Sequence, residues 1–395
     1  MSRKSENTYP YQRYIKEARL KELCDFAKNK ETPFLVIDLS HVAELYDALQ
    51  KSLPSARIYY AVKANPENDV VKLLNTKGSH FDVASRYEID QLLKLRIPVS
   101  KMSYGNTIKK GKDVAYAYKK GIRYFATDAL SDLQNIAKYA PGSQVTFRLL
   151  LPEGGQADWP LSRKFGADSE MVYELVRESV KLGLVPFALS FHVGSQQRDI
   201  AEWDRALALC KDLFFRLKKE NIILRGLNMG GGFPSTYIQS IPETKEYGQQ
   251  IKSSIRKYFG KEKFDIILEP GRSIAGDAGI LFTDVVLVSQ KSHDTARWVY
   301  LDVGKFGGLI ETLDESIKYP FFVLGKENEE TSPVVLAGPT CDSMDILYEK
   351  NLYEMPTSLK EGDRVLVMST GAYTASYSSV NFNGIPPLKV YILKK

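Results

Sequence analysis

The stretch YYAVKANP (59–66) sets Lys63 behind Tyr59, Tyr60, Ala61 and Val62 and stops at a proline. An ammonium at the end of so apolar a run loses solvation unless something compensates. Structurally, such a lysine snorkels out of the strand end or pairs with a carboxylate. Chemically, a desolvated amine deprotonates more easily and becomes a nucleophile that condenses with aldehydes. Other reactive residues sit in similar places: Asp82 in HFDVAS, Arg148 in QVTFRLL, His192 in ALSFHVG, Gly230, Gly231 and Gly232 in LRGLNMGGG, and Glu269 and Arg272 in DIILEPGR. Each has a plain reading alone: a satisfied core histidine, a tight glycine turn, a surface ion pair at a strand end.

The elements that must position them alternate regularly. Apolar runs at 57–64, 80–85, 101–106, 123–128, 144–150, 188–194, 224–232 and 265–271 are separated by amphipathic stretches such as RYEIDQLLKLR and AEWDRALALCKDLFFRLKKE. Strand and helix alternating eight times predict a parallel (β/α)8 barrel, an α/β fold of the TIM type. A doubly wound open sheet is the rival, but no Gly-rich dinucleotide fingerprint follows the first strand. In a barrel the chemistry gathers at the C-terminal ends of the strands, where the polar exceptions fall. Beyond residue 273 the runs GILFTDVVLVSQK, RWVYLDVG, SPVVLAG, DRVLVMST and LKVYILKK predict a mainly-β domain. The expected division is an N-terminal segment, 1–33, packing on the β domain, a barrel over 34–273 and the β domain over 274–395. The run FLVIDL (34–39) is a ninth strand that suits either domain.

Composition narrows the class. The 395 residues are 44% hydrophobic and 26% charged, as in a soluble globular protein of two domains. A net charge of +6 with interspersed signs gives no case for nucleic acid, and no run approaches a membrane span. Three widely spaced cysteines and four scattered histidines argue against disulfides and metal sites and suit the cytoplasm.

The rim residues also share one chemistry. Bare glycine N–H groups and Arg272 suit a phosphate, Lys63 an aldehyde, Glu269 a pyridine nitrogen and His192 a ring face. Together they describe pyridoxal 5'-phosphate (PLP). The motifs YYAVKANP, FDVAS, SYGNTIKK, PLSRKFG, SFHVGSQ, NMGGGFP, EPGR, AGPTCDSMD and GAYT, in this order, resemble those of the fold type III (alanine-racemase-like) PLP decarboxylases of basic amino acids, above all the bacterial ornithine decarboxylases. The resemblance covers residues 33–395 and implies a homodimer with shared active sites. It implies that Lys63 joins the cofactor, His192 stacks on its ring and Glu269 pairs with the ring nitrogen. Ser195, Gly230, Gly231, Gly232, Gly271, Arg272 and Tyr373 would hold the phosphate, with Asp82 and Arg148 as a polar shell. From the partner, Cys341 would protonate the substrate carbon and Asp342 would bind the distal amine. Lys164 and Asp345 would form an ion pair between subunits.

A carboxylate at position 269 favours decarboxylation, because it keeps the ring cationic where an arginine, as in racemases, would not. The loop LDVGKFGGLIETLDES contains no arginine for a distal carboxylate but holds Glu311, Asp314 and Glu315, of which Asp314 is the expected substrate contact. The expected reaction is L-ornithine to putrescine and CO2, with L-lysine to cadaverine as a second. The alternatives are a related decarboxylase of diaminopimelate, arginine or carboxynorspermidine, and a catalytically inactive homologue that acts as a binding protein.

Overall fold

The structure, a computed structural model, describes residues 11–152, 155–159 and 164–394. The eight expected runs form a closed parallel barrel in chain order: Ala56–Ala61, His80–Val83, Met102–Tyr104, Tyr124–Thr127, Gln144–Arg148, Val185–Ser190, Gly226–Asn228 and Asp265–Leu268. It closes where Ile266 pairs with Ala56 and Leu268 with Ile58. Parallel strands wrapped by helices are covered on both faces, which is why these runs are apolar without alternation. The first seven strands are each followed by a helix that leads to the next strand. Two of these helices begin with strong caps at the rim. Ser85 Oγ accepts Glu88 N–H at 3.3 Å while Glu88 Oε2 accepts Ala84 N–H at 2.6 Å, and Asp168 Oδ1 accepts Met171 N–H at 2.9 Å.

Apart from the small pair Ala157–Trp159 and Ser195–Gln197, the described strands outside the barrel build an eight-stranded sheet. One path runs through Phe321–Val323, Arg364–Met368, Gly279–Ser289, Arg297–Leu301, Thr331–Ala337 and Ile346–Pro356. Phe34–Asp38 pairs antiparallel with Gly279–Ser289 and parallel with Lys389–Leu393. The expected boundary at residue 34 is therefore displaced. This strand belongs to the β unit, and the contact division of the chain falls between Val42 and Ala43. The β unit also takes Ser235–Ile241 from the middle of the chain. All five residues of Phe34–Asp38 are buried, so its composition is that of a barrel strand; only its partners distinguish it. Helix Glu17–Ala27 packs Leu23 and Ala27 on the same core as Phe34, Phe282 and Leu366, with the Phe34 and Phe282 rings stacked at 4.9 Å. Each such fully buried Leu or Phe side chain contributes about 1.5–3 kcal/mol. Among the described residues no helix is long and apolar enough to cross a membrane.

Candidate active site

The first barrel strand ends in a short turn, Val62–Ala64, that carries Lys63. Ala61 N–H donates to Pro270 O at 3.0 Å, so the lysine's strand end is tied to the EPGR segment at the end of the eighth strand. Val62 is fully buried, whereas Lys63 is exposed at the barrel mouth. The buried-amine expectation thus holds for the strand but not for the lysine side chain itself.

Around it the mouth gathers titratable groups that act on one another. Burial, then Glu269, holds the Asp82 carboxyl well above its usual 3.8, while Lys63 and Arg148 pull the other way. Burial lowers Arg148, against the opposing pull of Glu269, Asp128 and Asp82. Its guanidinium carbon lies 4.7 Å from the centre of the Phe165 ring. Burial, then Arg148 and Lys63, pushes His192 well below its usual 6.5, so the imidazole is neutral near pH 7. Its Nδ1 accepts Gly194 N–H at 3.1 Å, which places the ring proton on Nε2. A neutral ring can lie on a cationic heterocycle without charge repulsion.

The glycine turn follows from strict geometry. Gly230 has φ +60°, and a Cβ on Gly231 would stand 2.7 Å from Glu269 O and 3.2 Å from His192 Nε2. The turn therefore passes flush between the sixth and eighth strand ends, with no room for a side chain. Beside it in the chain's last barrel segment, Arg272 is 3% exposed, and its Nε and Nη2 each donate to Ser195 Oγ at 3.2 Å. A recessed guanidinium and hydroxyl make a site that favours a compact dianion.

Two residues that sequence reasoning passed over complete the mouth. Asn228, in the seventh strand, donates from Nδ2 to Glu269 Oε1 at 2.5 Å and accepts Gly230 N–H at 3.0 Å. Glu88 caps a helix and acts electrostatically on Asp82 and Lys63. A polar side chain inside the apolar run LRGLNM was the available signal for Asn228.

Tyr373, Asp314, Cys341, Asp342 and Asp345 lie in the β unit. Tyr373 has φ +56°, in a loop held by Gly371 N–H to Gly276 O at 2.9 Å. Cys341 is exposed, and its N–H donates to Asn383 Oδ1 at 2.9 Å. Asp342 Oδ1 accepts Met344 N–H at 2.8 Å. Asp345 is 2% exposed and accepts Lys305 N–H at 2.8 Å, Thr340 N–H at 3.1 Å and Thr340 Oγ1 at 2.7 Å. Both of its oxygens are thus engaged inside its own domain. These bonds tie the 338–345 loop to the backbone at Lys305 within the β unit. Lys164 itself is exposed, its ammonium 5.1 Å from the Phe165 ring centre; residues 160–163 of its motif lie outside the described residues.

These side chains fit pyridoxal phosphate by their own chemistry: an accessible amine, a neutral imidazole, a carboxylate oriented by an amide, and a recessed arginine beside a hydroxyl and side-chain-free backbone. Fold and site together define a β/α-barrel enzyme of pyridoxal chemistry. A family model described as the pyridoxal binding domain of pyridoxal-dependent decarboxylases matches residues 39–276. A lysine/ornithine decarboxylase of Selenomonas ruminantium is 35% identical over 369 residues, spanning 92% of this chain and 90% of its own. A crystal structure of SrLDC in complex with PLP and cadaverine matches with a TM-score of 0.85 at 33% identity, covering 96% of this chain and 94% of that one. The lysine/ornithine decarboxylase of Vibrio vulnificus complexed with cadaverine matches with a TM-score of 0.87 at 26% identity, covering 96% and 100%. The chain belongs to the pyridoxal-dependent decarboxylases, and its cofactor is PLP.

Proposed function

We propose that the protein removes the α-carboxylate of L-ornithine as CO2 and releases putrescine, and that the same site converts L-lysine to cadaverine. One observation carries the substrate choice. Of the three acidic residues in the loop after Val303, Glu311 and Glu315 are buried, whereas Asp314 is exposed. An outward carboxylate in a stretch without arginine suits a distal ammonium and offers nothing to the distal carboxylate of diaminopimelate. The lysine/ornithine decarboxylases among the similar proteins support this pair of substrates. One methylene separates the two, a difference that a pocket discriminates by about 1–3 kcal/mol.

Lys63 would anchor the cofactor through its aldehyde carbon, and Ser195, Gly230, Gly231, Gly232, Gly271, Arg272 and Tyr373 would hold its phosphate. When bound, PLP supplies a protonated ring that takes up the electron pair left on the substrate α-carbon as CO2 departs. Glu269, oriented by Asn228, keeps that ring nitrogen charged. His192 covers the ring face while staying neutral. Asp82 and Arg148 adjust the local charge around Lys63. Cys341 of the partner subunit gives one proton to the α-carbon, so a hydrogen replaces the lost carboxylate. Asp342 of the partner subunit and Asp314 receive the distal ammonium. This reading makes the enzyme a homodimer with shared sites. The free thiols of Cys24, Cys210 and Cys341 suit the reducing cytoplasm.

The test is direct. Purified protein with PLP is given ornithine, lysine, arginine and diaminopimelate separately, and CO2 and amine are measured. Putrescine formation should be fastest. Faster turnover of diaminopimelate would overturn the substrate assignment, and no turnover of any of them would favour an inactive homologue.

A further inference from the structure

The loop that ends in Asp314 and Glu315 has an unusual backbone. Both residues are left-handed, with φ of +53° at Asp314 and +54° at Glu315. Two consecutive residues with side chains in this region are costly and persist only where the surroundings enforce them. The Glu315 carboxylate anchors this loop. It is 8% exposed and accepts four hydrogen bonds: Glu349 N–H at 2.7 Å and Lys350 N–H at 2.6 Å on Oε1, Asn351 N–H at 2.9 Å and Asn351 Nδ2 at 2.6 Å on Oε2.

Those donors are available for a reason. Strand Ile346–Pro356 pairs with Thr331–Ala337 at Leu336↔Tyr348 and again at Val334↔Tyr353, so residues 349–352 bulge opposite Val335 alone. A bulge leaves N–H groups without ladder partners. The carboxylate takes three of them in succession. Burial alone would raise its pKa, yet the four hydrogen bonds hold the group below its usual 4.5. It therefore stays an acceptor throughout the neutral range.

We propose that Glu315 is the positioning residue for the substrate's distal ammonium: by clamping the 349–351 bulge it holds Asp314 left-handed, with the Asp314 carboxylate turned outward. The inference rests on the reading of Asp314 as the substrate contact. Glu315 itself touches no substrate. Its loss frees the loop to relax toward ordinary backbone, and Asp314 then points elsewhere for part of the time. Binding of the diamine end weakens while the reaction at the α-carbon proceeds as before.

The experiment is a double-mutant cycle on the PLP-loaded enzyme, using Glu315→Ala, Asp314→Asn and the pair, with kcat and KM for ornithine, the absorbance of bound PLP and the melting temperature recorded. Glu315→Ala should raise KM tenfold or more, with kcat within twofold and cofactor absorbance unchanged. Asp314→Asn should raise KM at least as much, and the pair should add little to Asp314→Asn alone, because one residue acts through the other. Asn351→Ala, which removes one donor of four, should raise KM two- to threefold; with Glu315→Gln it carries the test if Glu315→Ala does not fold. An unchanged KM in the Glu315 variants, or KM effects that multiply fully in the pair, overturns the positioning role. An unchanged KM in Asp314→Asn overturns the substrate contact itself, and the inference with it.

Discussion

Asn228 Nδ2 stands 2.5 Å from Glu269 Oε1, and the Oδ1 of the same amide accepts Gly230 N–H at 3.0 Å. One side chain thus couples the carboxylate assigned to the ring nitrogen with the turn assigned to the phosphate. A hydrogen bond to a charged group contributes about 1.5–3 kcal/mol, which is roughly tenfold to a hundredfold in rate if the bond serves the transition state. Asn228→Ala should lower kcat/KM for ornithine by that factor while PLP stays bound. Asn228→Asp, which sets a like charge against Glu269, should be worse still. Steady-state kinetics beside the cofactor absorbance decides it, and an Asn228→Ala enzyme within twofold of wild type refutes the coupling.

His192 gives a pH signature in the cofactor-free protein. Its folded pKa is depressed well below 6.5, chiefly by burial and then by Arg148 and Lys63. As pH falls through 6.5 the unfolded chain therefore takes up a proton that the native state refuses. Stability is lost in that direction, by at most about 1.4 kcal/mol per pH unit, and above the window this group makes no slope. Asp82 works oppositely. Its raised folded pKa means that the native state keeps a proton the unfolded chain has released, so stability falls as pH rises above 3.8 toward the folded value. The two slopes have opposite sign, so the raw curve is not diagnostic. Urea unfolding of wild type and His192→Asn from about pH 5 to about pH 7.5 isolates the histidine. The advantage of wild type over the variant should shrink as pH drops; a constant difference excludes a buried neutral imidazole.

The barrel was legible because parallel strands covered on both faces read as apolar runs, and because polar residues interrupt those runs at one end. Lys63, His192 and Glu269 stood out for that reason. What was not legible depends on partners far along the chain. Phe34–Asp38 is indistinguishable from a barrel strand until its pairing with Gly279–Ser289 is seen. Asn228 looks like a stray polar residue until Glu269 arrives beside it. Glu315 reads as one more acidic residue near Asp314, because nothing local announces that a bulge at 349–351 will need an acceptor. Asp345 matches a family pattern in sequence, but nothing local announces that its carboxylate also ties Thr340 to the backbone at Lys305, 40 residues upstream.

Lys109, from the SYGNTIKK motif, has a fully buried side chain whose ammonium donates to Asp132 Oδ2 at 2.7 Å, Ala126 O at 2.7 Å and Asn106 O at 2.9 Å. It joins the segments after the third and fourth barrel strands. Burial pushes the lysine down and the aspartate up, each toward its neutral form. Removing one member leaves the other charge buried and uncompensated, at a cost of about 3–5 kcal/mol. Lys109→Met should lose that much in urea unfolding, and adding Asp132→Leu should recover most of it. Equal destabilisation in the single and double variants would mean that packing, not charge, is at stake.

Gly231 separates steric from conformational reasons for a glycine. Gly230 and Gly232 have positive φ, +60° and +98°, and resist substitution on backbone grounds alone. Gly231 does not share that restriction, so an alanine there meets only its neighbours: Glu269 O at 2.7 Å and His192 Nε2 at 3.2 Å. The carbonyl is backbone and cannot rotate away; the imidazole can. Gly231→Ala should therefore fold, displace His192 and press on the turn assigned to the phosphate. PLP affinity, read by absorbance titration, should fall tenfold or more while the melting temperature of the cofactor-free protein drops by only a few degrees. Unchanged affinity would place the phosphate elsewhere on the rim, and loss of the fold would make the turn a requirement of the barrel rather than of its ligand.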